Sequence, residues 1–96
     1  MNLAERLRLR AQALEAIRGF FAARDVVEVQ TPVLAPATVT DPDVESIAVP
    51  GYGFLQTSPE YQMKRLLSAG APSIYQLGPV FRHEERGRLH NPEFTM

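Results

Sequence analysis

FRHEERGRLHNPEFTM, residues 81–96, reads as two short strands around a charged turn, and that reading decides what kind of sheet the chain builds. On an extended strand successive side chains point to opposite faces, so Phe81 and His83 go one way while Arg82 and Glu84 go the other. Residues 85–90 are the expected turn, with Gly87 relieving backbone strain and Arg86 and Arg88 adding mobile positive charge. The return strand NPEFTM brings Asn91 and Phe94. Arg82 offers a rigid donor fork that fits a phosphate bidentately, and Glu84 beside it an acceptor for an amino group such as adenine's. Phe94 offers a ring on which a base can stack. On residue types alone one alternative stays open: a solvated hairpin whose charges pair with one another and whose Phe94 is core.

Working back along the chain, SIYQLGPVF is extended and leads into this hairpin. Before it, Thr57 and Ser58 offer helix caps, Pro59 suits a first turn, and Glu60 stands three residues after Thr57 as in a capping box. The helix so begun carries Met63, Leu66 and Leu67 on its apolar side and ends near Gly70. ESIAVPGYGFLQ reads as two short strands around a Pro-Gly turn, and APATVTDPD, with its prolines and aspartates, as a loop. VVEVQTP, alternating and β-branched, is a strand ended by Pro32. Residues 3–24 place Leu3, Leu7, Leu14, Ile17, Phe20 and Phe21 at helical spacing, with a solvated face of Glu5, Arg6, Arg8, Arg10, Glu15 and Arg18. Helix, strand, loop, hairpin, helix and further strand joined by short turns predict an α+β fold, an antiparallel sheet with flanking helices.

Composition excludes more than it selects. A chain of 96 residues allows one small domain. A net charge of −1 shows no bias toward nucleic acid or an anionic membrane. Zero cysteines exclude a disulfide framework and a thiolate metal site. No apolar run marks a signal peptide or a membrane span, so a cytoplasmic location is expected. Neither glycine-rich phosphate loop is present, so a nucleotide would be bound by side chains on a sheet.

The wording of two stretches goes further. FRHEERGRLHNPEFTM resembles the second signature motif of class II aminoacyl-tRNA synthetases, in the lysyl, aspartyl and asparaginyl branch. GFFAARDVVEVQTPVL is similar to their first motif, a long helix followed by a strand ending in proline. The likeness runs from about residue 14 to residue 96, with both motifs in order. TSPEYQMKRLL, ATVTDPDVESIAVP and the second motif itself look like the lysyl-synthetase paralogues, the elongation factor P–(R)-β-lysine ligase family.

That resemblance implies the roles that follow. Ser58, Pro59 and Glu60 would line the amino-acid pocket; for Glu60 a purely capping role is equally open locally. Arg82 would hold the α-phosphate and is the catalytic residue, His83 and Glu84 would contact the nucleotide, and Asn91 and Phe94 would complete the ATP site. His83 stands where the family usually has Asn, so a contact made through the backbone survives the change. The cofactors implied are ATP and Mg²⁺, with the metal ligands expected outside this chain and none within it. The substrate implied is lysine or β-lysine, activated as an adenylate and transferred to a lysine of elongation factor P rather than to tRNA. A homodimer through the N-terminal helix and following strand is expected. Residues 1–96 are expected to be part of a catalytic domain, holding the first and second motifs but not the third. The alternatives are a piece of a lysyl- or related tRNA synthetase, and a non-catalytic binding or dimerisation module.

Overall fold

In the computed structural model, which describes residues 1–38, 45–83 and 91–96, the chain opens with helix α1, Leu3–Ala22. Asn2 starts it, its Oδ1 accepting from the Glu5 backbone N–H at 2.8 Å. Strand β1 (Val27–Glu28) follows, then β2 (Leu34–Ala35), β3 (Ile47–Val49) and β4 (Gly53–Leu55). Helix α2 (Glu60–Ser68) precedes β5 (Ile74–Tyr75), β6 (Pro79–Phe81) and β7 (Glu93–Thr95). The α+β reading holds. No helix among the described residues is long and apolar enough to cross a membrane.

The Pro-Gly hairpin forms as the sequence predicts, β3 pairing antiparallel with β4 through Ile47↔Leu55, Ala48↔Phe54 and Val49↔Gly53. Gly51 takes φ 83° at its turn, a left-handed value that favours glycine. Gly53, at φ 133°, lets β2 come close: a Cβ there would lie 2.3 Å from the Ala35 carbonyl oxygen. β2 joins on the far side of β4 through Leu34↔Leu55 and Ala35↔Phe54.

One pairing departs from the all-antiparallel expectation. β1 runs parallel to β5, with Val27↔Ile74 and Glu28↔Tyr75. Parallel neighbours need a long crossover instead of a tight turn, and β2 to α2 provides it. The extended segment continues past β1 by side-chain bonds. Thr31 donates through both N and Oγ1 to Gln76 Oε1, and Gln30 Nε2 donates to the Leu77 carbonyl at 3.0 Å.

α1 is held on this parallel pair from one side. The Arg18 guanidinium forks onto Glu28, Nε to Oε1 at 3.0 Å and Nη2 to Oε2 at 3.3 Å. The Phe21 ring stacks on Tyr75, centroids 4.2 Å apart. Arg18 holds the Glu28 carboxyl below its ordinary value of 4.5, chiefly by its hydrogen bond. Desolvation, more than the neighbouring Glu28 charge, pushes the Tyr75 hydroxyl up.

α2 ends as glycine placement predicts. Gly70 takes φ 101°, its N–H bonding the Leu67 carbonyl while the Ala71 N–H reaches Leu66, the paired bonds of a Schellman cap. The capping box at the other end does not form. Thr57 is drawn inward, its N–H bonding Thr38 Oγ1 at 3.2 Å, and Ser58 Oγ takes the Glu60 N–H instead at 3.0 Å.

The buried centre is small. Among the described residues only Gln56, Thr57, Gly78 and Val80 are buried. Gln56 meets its polar needs inside, Nε2 donating to the Ala37 carbonyl at 2.8 Å. The accessible surface is 7335 Å², against roughly 5,500 Å² for a compact chain of this length. Leu3, Leu7, Ile17 and Phe20 stand exposed along α1.

Candidate nucleotide-binding strand pair

β6 is an inner strand, and this places the candidate site. On one side it pairs antiparallel with β7 through Pro79↔Thr95, Val80↔Phe94 and Phe81↔Glu93. On the other, the Phe81 N–H bonds the Gln56 carbonyl at 2.8 Å and the His83 N–H bonds the Glu45 carbonyl at 3.0 Å. Even-numbered residues therefore bond toward β7 and odd-numbered ones toward the β3–β4 sheet. The Arg82 N–H follows this rule, bonding the Pro92 carbonyl at 2.9 Å.

The register sets Arg82 diagonally across from Phe94, within reach of a long side chain. The guanidinium carbon lies 5.2 Å from the Phe94 ring centroid, inside cation–π range. Arg82 Nε is buried and has no hydrogen-bond partner among the described residues. A half-buried cation whose buried Nε is without a partner among the described residues, resting against an aromatic face, suits an anionic group joined to a planar ring.

The remaining predicted residues divide. Asn91 is exposed, two residues before the start of β7, which carries Phe94. Glu84 lies outside the described residues, as does the 85–90 turn. His83 is close by, its Nδ1 3.0 Å from Glu45 Oε2. Ser58 and Pro59 are half-buried where the chain enters α2, and Glu60 is exposed in its first turn. The Phe81–Gln56 backbone bond keeps the segment leading to Ser58 alongside the one leading to Arg82. Glu60 is paired with Lys64, 2.8 Å away and one helical turn on, and that hydrogen bond raises the Lys64 pKa.

Among the described residues, two clefts open on the surface. One of about 490 Å³ lies between Ala35–Ala37 and the α2 residues Tyr61, Gln62, Lys64 and Arg65. The other, about 400 Å³, lies between Arg10, Leu14 and Arg18 of α1 and the β6–β7 pair, with Phe94 on its wall. Neither is lined by Arg82, Ser58 or Glu60. Among the described residues no group of three His, Asp or Glu side chains could hold a metal ion.

Sequence reading missed two partners. Lys64 was available from the i, i+4 spacing to Glu60. Glu45 was not, because no local pattern joins it to His83, across the sheet.

The family described as tRNA synthetases class II (D, K and N) matches residues 1–96. The elongation factor P–(R)-β-lysine ligase of Vibrio parahaemolyticus is 52% identical over 101 residues, covering 96% of this chain and 31% of its own length. That of Vibrio cholerae is 54% identical over 99 residues, covering 94% of this chain and 31% of its own. That of Yersinia enterocolitica is 54% identical over 96 residues, covering 91% and 30%. The chain thus spans about 31% of the length of the curated relatives it matches.

Proposed function

Because this chain belongs to the class II tRNA synthetases of the D, K and N type, we propose that it supplies the ATP-binding strands of a ligase that activates lysine or (R)-β-lysine. The acceptor is a lysine of elongation factor P, and tRNA is not a substrate. The relatives' shared name motivates that choice. The observation that carries the nucleotide reading is Arg82 standing beside Phe94 on paired strands.

In this reading an oxygen of the substrate carboxylate attacks the α-phosphorus of ATP in line. The bond to pyrophosphate breaks, and a mixed carboxylic–phosphoric anhydride forms. Arg82 donates its fork to the α-phosphate oxygens, neutralising charge that grows in the transition state. Phe94 stacks the adenine, the Asn91 side chain adds a contact, and Glu84 accepts from the adenine amino group. His83 contacts the nucleotide through its backbone. Ser58 and Pro59 shape the amino-acid pocket, and Glu60 takes the substrate ammonium in place of Lys64. Magnesium, when bound, would screen the departing pyrophosphate. An acceptor amine then attacks the anhydride carbonyl and AMP leaves.

The N-terminal helix and the strand after it form the dimer contact, in support of which stand the exposed apolar residues of α1. The proposal carries a cytoplasmic location with it, where translation factors work. Its test is transfer of label. Full-length protein with ATP and radiolabelled (R)-β-lysine should label elongation factor P and leave tRNA unlabelled. Label on tRNA with none on the factor overturns the choice of acceptor.

A further inference from the structure

A bidentate fork is useful only if its backbone is fixed, since an error of about 1 Å in a catalytic group can cost a hundredfold in rate. The side-chain contact seen for Arg82 is soft, a guanidinium against a ring at 5.2 Å. The regular β6 ladder stops one residue earlier, at Phe81. What fixes the Arg82–His83 peptide is a bond on either side, Arg82 N–H to Pro92 and His83 N–H to Glu45. Glu45 holds His83 a second time, its carboxylate Oε2 lying 3.0 Å from the imidazole Nδ1. It sits two residues before β3, so this double hold ties the end of the phosphate strand to the start of another. The imidazole is directed to that carboxylate.

We infer that Glu45 and His83 form a positioning pair for Arg82, the carboxylate and carbonyl of Glu45 clamping His83 so that the neighbouring fork keeps its aim. This rests on the reading of Arg82 as the phosphate ligand. Neither Glu45 nor the His83 side chain touches the reacting atoms; both act through the strand. Both side chains are largely exposed, so the effect is modest. Exposed ion pairs are worth at most about 1 kcal/mol, a factor of about five.

The experiment is a double-mutant cycle on ATP–pyrophosphate exchange in the full-length protein, with Glu45→Ala, His83→Ala and the double variant. Each single variant should lower kcat by about two- to fivefold, with the KM for ATP and the melting temperature near the parent's. The double variant should be no slower than the slower single one. Parent rates in both singles overturn the inference, as do effects that multiply in the double variant or a fall confined to melting temperature. Arg82→Ala run alongside separates the two claims. If it slows exchange while Glu45→Ala does not, only the positioning pair fails. If Arg82→Ala exchanges at the parent rate, the phosphate reading fails and the pair falls with it.

Discussion

The Arg82 guanidinium carbon lies 5.2 Å from the centroid of the Phe94 ring, on neighbouring strands. Fork and ring thus form one surface in the free protein. In the proposed reading, a nucleotide stacking its base on Phe94 would set its first phosphate close to the cation.

Replacing Phe94 by Ala should therefore weaken nucleotide binding by roughly 1–3 kcal/mol, the usual worth of a base–aromatic stack. Titration of ATP into the full-length protein reads this directly. Unchanged affinity together with a lowered melting temperature would assign Phe94 to the core.

Glu60 faces a different test, because Lys64 already occupies its carboxylate at 2.8 Å. A substrate ammonium must displace that lysine, and both side chains are exposed, so the exchange is worth at most roughly fivefold in affinity. Glu60→Gln should weaken lysine or (R)-β-lysine binding by that factor and leave ATP affinity alone. The same change should bring the raised Lys64 pKa back down, as measured by NMR titration. If both ligands bind as in the parent, Glu60 belongs to the helix and not to the pocket.

Glu28 gives the chain an acid-sensitive clasp between α1 and β1. Its folded pKa lies below the ordinary 4.5, so its contribution is complete above that value and lost as pH falls through the lowered one. Glu28→Gln should melt lower than the parent near neutrality, and the gap should narrow below pH 4.5. A gap that stays constant through that window would show that Arg18 does not discriminate the charged carboxylate.

Association is expected from the exposed apolar residues of α1 and from the excess of surface, 7335 Å² against roughly 5,500 Å². Sedimentation at tens of micromolar should show a dimer or larger species, and Leu7→Glu should shift it toward monomer. A sharp, well-folded monomer in the parent rules the contact out.

Much of this fold was legible because it is locally determined. α1 follows from apolar spacing, the β3–β4 turn from Pro50 and Gly51, and the end of α2 from Gly70. What was not legible depends on distant residues. The parallel β1–β5 pair depends on a crossover of four other elements. Thr57 had every local reason to cap α2, yet Thr38 holds it inside. At the site, Arg82 and Phe94 came from the hairpin pattern and its family likeness. Glu45, far from His83 in sequence and beside it only in the fold, has no local signal.

The most direct test is ATP–pyrophosphate exchange dependent on lysine or (R)-β-lysine, comparing the full-length parent with Arg82→Lys. Lysine at that position keeps the charge and loses the two-pronged geometry. The account predicts a fall of at least about tenfold, on the order of 1.4 kcal/mol of transition-state stabilisation. Exchange by Arg82→Lys at the parent's rate would contradict it, leaving Arg82 a surface charge and the strand pair without a nucleotide.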